Sequence, residues 1–293
     1  MILVRLSDGL GNQLFQYAYA LRLQQCGAEV QLDRSWFPEF GHNSLKNATP
    51  RPYALGPYSL RLPMAPLELA DKLTYGKGLL APLRRLLHKR PGMLREGRQN
   101  TEAEHVAALR DDKYIRGFFQ EARYPDMVRP ALLEDLRLPE ESLNAANREM
   151  LAQIRSCNAV AVHIRRGDYL TANCIGVHGI CPEDYYAAAV QHLMKSLGQE
   201  PHLFVFSDDA AWVRENFKAP CPVTPVAINS GAEGHLDINL MRHCRHAVIA
   251  NSTFSWWGAW LIENPDKVVI APEHWFADGR DVSPIYPSAW LRM

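Results

Sequence analysis

The run Ala159-Val160-Ala161-Val162-His163-Ile164-Arg165-Arg166-Gly167-Asp168-Tyr169 is an apolar segment that passes without a break into two arginines, a glycine and an aspartate. A strand that is apolar on both faces belongs in a parallel sheet covered by helices on both sides. The alternation continues downstream: helix over 185–197, strand 203–207, helix 210–217, strand 223–228, helix 236–244, strand 247–250, helix 255–263 and strand 268–271. Upstream, Ile2 to Leu6 is a second short strand, followed by a turn carrying Gly9 and Gly11. A helical pattern comes next, with Leu14, Ala18 and Leu21 on one face and an end near Gly27, and then a strand from Val30 to Asp33. Both halves therefore point to doubly wound α/β domains. A chain of 293 residues suits two domains of roughly 150, and the expected division is 1–150 and 151–293, the two facing each other across a cleft.

Three stretches fall outside this rhythm. From 37 to 66, Pro38, Pro50, Pro52, Pro57, Pro63 and Pro66 break any period, which marks an irregular insertion. Residues 79–90 are leucine-rich, with Arg84, Arg85, Lys89 and Arg90 interleaved. Such a helix either docks on its domain with the basic face in water or lies on an anionic membrane. Residues 144–155 read as a helix leading between the domains.

The composition narrows the class. Hydrophobic residues make up 47% and charged residues 22%, as in an ordinary globular protein. The formal net charge is zero, so no global field favours nucleic acid, and any anion must be recognised by a local cluster. No run approaches the ~20 apolar residues of a membrane span, and Met1 to Arg5 lacks the basic start of a signal peptide. The six cysteines are dispersed, without a C-x-x-C pair, so reduced thiols in a cytoplasmic protein are expected. Cys174, His178 and Cys181 lack an evident fourth metal ligand, which favours a plain loop.

In an open α/β sheet, ligands sit beyond the carboxyl ends of the strands, and the polar clusters of this chain fall there. Side-chain alternation puts His163 and Arg165 on one face of the strand end and Arg166 on the other. Arg165 is then placed to fork onto diphosphate oxygens, while Arg166 pairs with Asp168 or another carboxylate. The block Asn251-Ser252-Thr253-Phe254-Ser255-Trp256-Trp257-Gly258 joins a strand to a helix. Ser252, Thr253 or Ser255 either simply caps that helix or helps its free N–H groups receive phosphate. The tryptophan pair stacks on a sugar or base or, as the more frequent use, packs in the core. Asp237, near a helix start, either reads a purine or complements the helix dipole. Gly9-Leu10-Gly11-Asn12-Gln13 lacks the third glycine of the dinucleotide fingerprint, Leu14 standing in its place, yet still offers neutral donors.

No P-loop, G-x-S-x-G elbow, H-E-x-x-H pair or Asp-x-Asp occurs. His243 and His246, three apart on the expected helix, read as a satisfied or exposed pair rather than a metal site. Arginine and helix-terminus stabilisation of a leaving diphosphate, with no metal and no cofactor, is the chemistry this leaves.

The stretches Asp8 to Ala18, His163 to Tyr169, Phe206-Ser207-Asp208-Asp209 and Asn251 to Gly258, in this order, resemble the α-1,2-fucosyltransferases of bacteria and animals, glycosyltransferase family 11. The likeness spans essentially the whole chain and looks like a bacterial member. It implies a GT-B-like pair of Rossmann-type domains, the second binding GDP-fucose and the first on the acceptor side. It implies inverting, metal-independent transfer to the 2-hydroxyl of a terminal β-galactoside on an oligosaccharide or lipid-linked glycan, as in O-antigen repeats. Cytoplasmic work follows, with peripheral inner-membrane contact through 79–90 as an option.

By the same likeness Arg165 contacts the donor diphosphate with His163 beside it. Asp237 reads the guanine, Asn251, Ser252, Thr253 and Ser255 border the phosphate, and Gly11 belongs to the donor site. Asn12, placed like the asparagine of the corresponding turn in protein O-fucosyltransferases, lies near the reacting bond as a catalytic residue. One correspondence breaks: Asn173 stands where some distant relatives carry a glutamate base. Asp168, Glu183 and His178 remain base candidates, Asp168 first, although a structural role with Arg166 suits it equally. Another nucleotide-sugar transferase on the same scaffold is the rival reading. A non-catalytic carbohydrate-binding protein is a further one, which the strand–helix alternation opposes.

Overall fold

The computed structural model describes residues 1–40, 51–73, 92–110, 112–167, 176 and 179–293. Asp168, Asn173, Cys174, His178 and the basic stretch 79–90 lie outside the described residues. The chain forms two compact units, Met1–Arg137 and Leu138–Met293. The division thus precedes the one expected at 150/151. The helix Ala145–Arg155 belongs wholly to the second unit, where Asn144 caps it by accepting from the Asn147 amide.

Counted after β1 (Ile2–Arg5), β2 (Val30–Asp33), β3 (Met93–Arg95) and β4 (Lys113–Arg116) of the first unit, the strands of the second are β5 (Ala159–Ile164), β6 (His202–Ser207), β7 (Val223–Val226), β8 (His246–Val248), β9 (Val269–Ala271) and β10 (Leu291–Arg292). They pair in parallel in the order β10-β9-β8-β5-β6-β7. The chain thus winds one way from β5 to β7, returns beside β5 with β8, and winds the other way. The order reverses between β5 and β8, the point at which such sheets open a ligand crevice.

All six residues of β5 are buried. Val160, Val162 and Ile164 pack against Tyr185, Tyr186, Ala189, Val190 and Leu193 of the helix Glu183–Ser196. On the opposite face His163 meets Phe254 of the helix Thr253–Trp260, the ring centroids 5.5 Å apart. Tyr186 donates to the His163 carbonyl (3.1 Å) and Tyr185 to that of Ile249 (2.7 Å), so buried hydroxyls pin this helix to two strand ends.

The tryptophan pair resolves to the core. Trp256 and Trp257 are fully buried, and Trp256 Nε1 donates to the Ile285 carbonyl at 2.7 Å. Gly258 is where this helix touches the helix Gly234–Arg242. A Cβ there would stand 2.7 Å from the Met241 sulfur.

The first unit holds β1 (Ile2–Arg5), β2 (Val30–Asp33), β3 (Met93–Arg95) and β4 (Lys113–Arg116), parallel in the order β2-β1-β4-β3. The helix Leu10–Gln25 follows β1 as expected. It carries two fully buried glutamines, each with its polar atoms satisfied as burial demands. Gln16 donates to Ser7 Oγ and the Gly117 carbonyl and accepts from the Ser7 amide. Gln13 donates to the Asp8 and Pro52 carbonyls and accepts from the Ala54 amide.

The proline-rich insertion is thereby tied down at Pro52 and Ala54, and again by Leu32 and Pro63, Leu32 donating (2.9 Å). Met64 forms a bridge to Leu32 beside β2. Together these are two parallel sheets of an α/β chain. Among the described residues, no helix is long and apolar enough to cross a membrane.

Candidate active site

Beyond the carboxyl end of β5 the two arginines separate as side-chain alternation requires. Arg165 joins His163 on a cavity of about 470 Å³, whose walls include Ser207, Asp208, Asn229, Asp237 and Phe254. Arg166 turns to a smaller space of about 350 Å³ lined by Cys181, Glu183 and Trp212.

Two acids that follow β6 hold these arginines. Asp208 Oδ2 lies 3.2 Å from Arg165 Nη1, and Oδ1 accepts from the Arg166 backbone N–H at 3.0 Å. Asp209 lies 3.7 Å from Arg166 Nε while its other oxygen caps the helix Ala210–Asn216 through Trp212 N. The Arg166 guanidinium stacks on the Trp212 ring at 4.1 Å.

Of the carboxylates open to Arg166, the described residues supply Asp209, while Asp168 lies outside them. Gly167 allows the arrangement, because a Cβ at that position would sit 2.6 Å from Asp208 Oδ2. A salt bridge to one edge of a guanidinium fixes the orientation of the fork, which has five N–H donors in all.

His163 is 3% exposed, and burial, reinforced by the charge of Arg165, pushes its pKa down to about 3. The ring is neutral at physiological pH. Its Nδ1 is buried and has no hydrogen-bond partner, an uncommon state for a core histidine.

Asp237 lies in the first turn of its helix. Burial raises its carboxyl to about 6, against a lowering bond from Asn229 Nδ2 at 2.7 Å. Asn229 is itself held in a two-way amide pair with Asn147, at 2.7 and 3.0 Å. A chain of asparagines running from the cap of the helix Ala145–Arg155 thus orients the acid.

The Asn251 block divides. Asn251 is buried and donates to the Trp275 carbonyl at 3.2 Å. Ser255 is fully buried and donates to the Ser252 carbonyl at 3.1 Å, so its hydroxyl serves the helix start. Ser252 occupies the N-cap position in an extended conformation, but no side-chain bond closes the cap. Thr253 and Phe254 are half-buried, and Phe254 lines the larger cavity.

In the first unit Gly11 is buried, and Asn12 Oδ1 accepts from Gln120 Nε2 at 2.8 Å. Glu183 starts its helix, exposed. The histidine pair expected on one helix is split: the helix ends at Arg242 and His246 opens β8. His243 Nδ1 meets the Asn239 carbonyl at 2.7 Å, and His246 Nδ1 accepts from the Val268 amide. Among the described residues no three His, Cys, Asp or Glu side chains gather to hold a metal, and the five described cysteines are unbridged.

Sequence reading left out Asp208 as a site residue, along with Asn229 and Asn147. Asp208 was within reach, since it follows a strand as Arg165 does. Asn147 carries no local signal, because its partner lies 82 positions away.

The model of a family described as Glycosyl transferase family 11 matches residues 104–293. Two Escherichia coli proteins are similar along their whole lengths. The O-antigen biosynthesis glycosyltransferase WbnK is 32% identical, over 98% of this chain and 99% of its own. An alpha-1,2-colitosyltransferase is 29% identical, over 100% and 99%. Among solved structures, NodZ alpha-1,6-fucosyltransferase soaked with GDP-fucose aligns over 88% of this chain and 90% of its own, at 15% identity and a TM-score of 0.49.

Proposed function

Because this chain belongs to glycosyl transferase family 11, we propose that it transfers L-fucose from GDP-fucose to the 2-hydroxyl of a terminal β-galactoside. The transfer inverts the anomeric centre, needs no divalent cation, and serves glycan assembly such as that of an O-antigen on the cytoplasmic side. The observation that carries this reading is the cavity beside the β5/β8 reversal, which gathers Arg165, His163 and Asp237 on one wall system.

A leaving diphosphate needs cationic or N–H donors in fixed positions as the glycosidic bond breaks. Arg165, braced by Asp208, supplies charge, and the uncapped start of the helix Thr253–Trp260 supplies N–H groups and the positive end of its dipole. His163 Nδ1 offers a further neutral donor or acceptor to the same ligand. Asp237, aligned by Asn229, is suited to accept the paired N–H donors of a guanine edge. Asp168 is the proposed base for the acceptor hydroxyl. Asn12, at the start of the first unit's long helix, is proposed to lie near the reacting bond, and Gly11 beside it to contact the donor.

The second reading is transfer of colitose rather than fucose, favoured by the full-length similarity to the alpha-1,2-colitosyltransferase. Transfer assays with GDP-fucose and GDP-colitose against a panel of β-galactosides, run with excess EDTA, separate the two. Calorimetry with GDP, UDP and ADP tests the base. About tenfold preference for UDP, or 1.4 kcal/mol, overturns the donor assignment, and strict dependence on a divalent cation overturns the metal-free chemistry.

A further inference from the structure

The four strands of the first sheet end on a row of charge. Asp33 ends β2, Arg5 ends β1, Arg116 ends β4 and Arg95 ends β3. Arg5 lies opposite Asp33 and Arg95 opposite Arg116, while Val4 opposite Ile115 continues the register to Arg5 and Arg116. Leu3, Tyr114 and Met93, two positions earlier, belong to one apolar cluster with Ala65, Leu69, Ala70 and Leu73, from the helix Leu67–Leu73 and the residues before it. The arginines continue that same face past the cluster, toward the carboxyl edge. Neighbouring strands are about 4.8 Å apart, so three guanidinium stems leave the sheet side by side.

The nearby acids turn their hydrogen bonds elsewhere, although the Asp33 charge offsets part of that of Arg5. The Asp33 carboxylate accepts from Tyr114 Oη (2.8 Å), Ser35 N (2.8 Å) and Ser35 Oγ (3.0 Å). The Glu96 carboxylate accepts from the Phe118 and Phe119 amides, closing the loop after β4. Among the described residues, none of the three arginines has a carboxylate at ion-pair distance, and Arg116 Nη1 has only the Met93 sulfur at 3.9 Å. The Nε atoms of Arg5 and Arg95 are buried without a partner.

Burial and then Arg116 are the main causes that lower the Arg5 pKa to about 10; Tyr114 and Asp33 act against them, and Arg95 adds a smaller lowering. Burial likewise lowers Arg116, with Arg95 adding to it. Three like charges held together at a strand-end ligand position, with donors unused, call for an oxyanion.

We propose that Arg5, Arg116 and Arg95 form a second diphosphate-binding site, one that takes the diphosphate of a lipid- or alkyl-diphosphate-linked glycan acceptor. A single carboxylate engages one or two guanidinium forks, whereas two linked phosphoryl groups present enough oxygens for three neighbouring forks. The donor's diphosphate is already assigned to Arg165 in the other unit, which leaves the acceptor as its source. The assignment of the ligand to the acceptor rests on the glycosyltransferase reading; the presence of a diphosphate site does not.

The test is calorimetric titration of Arg165→Ala protein, in which the donor diphosphate site is disabled, with inorganic pyrophosphate and with decyl diphosphate. Saturable binding of both is expected, weakened about tenfold or more by adding Arg95→Gln or, independently, Arg116→Gln, with circular dichroism unchanged. No saturable binding, or binding indifferent to both substitutions, overturns the site. Binding of pyrophosphate with exclusion of the decyl ester overturns its assignment to an acceptor. No donor sugar enters these titrations, so a wrong donor assignment leaves the outcome intact.

Discussion

The carboxyl edges of the two sheets treat arginine in opposite ways. At the second edge Arg165 and Arg166 each have an aspartate, Asp208 and Asp209, supplied by the neighbouring strand's end. At the first edge Arg5, Arg116 and Arg95 have one another, and the adjacent acids are committed to backbone and hydroxyl donors. A partnered guanidinium is set in place before the ligand arrives, at the cost of part of its charge. A row with no carboxylate in direct contact keeps a net positive field, and the bound anion relieves the repulsion. The first design suits a transition-state contact that must be accurately placed, and the second suits the retention of a substrate.

The largest expected effect comes from removing the partnered arginine. Arg165→Ala should lower kcat/KM for transfer by about a thousandfold with the far-ultraviolet dichroism unchanged; near-normal turnover removes Arg165 from the reaction. Disturbing the brace instead of the arginine comes next. Gly167→Ala puts a Cβ 2.6 Å from Asp208 Oδ2, and displacing that carboxylate displaces Arg165, so a loss of about a hundredfold in kcat/KM is expected. An unchanged rate would mean that Asp208 does not position the fork.

A smaller effect is expected from pH. Burial raises Asp237 from 3.8 to about 6, so the folded protein takes up this proton before the unfolded chain does. Its contribution to folding therefore rises as pH falls through about 6 toward 3.8. The carboxylate that the proposed guanine contact needs is lost over the same range. GDP affinity should fall about tenfold between pH 7 and pH 5 in excess of any change seen for Asp237→Asn; parallel profiles for the two proteins would remove Asp237 from base recognition.

The smallest effect sharpens the contrast between the edges. Arg95→Gln should stabilise the ligand-free protein by a few tenths of a kcal/mol, because it removes a like charge. Arg165→Ala should not, because it strands Asp208. Thermal melts of the two variants in low salt, where surface charge is least screened, decide it; a lower melting temperature for Arg95→Gln would mean that the row is not repulsive.

The second unit was the more legible half. β5 was read to the residue because Ala159–Ile164 is apolar on both faces, and its neighbours fell within a few positions. The first unit was half hidden. Met93–Arg95 and Lys113–Arg116 are short and hold only two non-polar residues each beside basic ones, so no period singles them out, and the row they complete is invisible. By sequence the helix Ala145–Arg155 is a connector, because its affiliation depends on Asn147 reaching Asn229, which no local pattern records. Only burial assigns the tryptophan pair to the core, since stacking on a sugar and packing in a core use the same residue at the same spacing.

The sequence by itself determined the α/β class, the position of the arginine loop after β5 and the opposite facing of Arg165 and Arg166, because strand period and turn chemistry are local. Only the tertiary structure decided which acid holds which arginine, that Ser255 turns inward, and that three arginines from three distant strands share an edge. Those outcomes depend on strand order and register, which long-range packing sets and neighbouring residues do not encode.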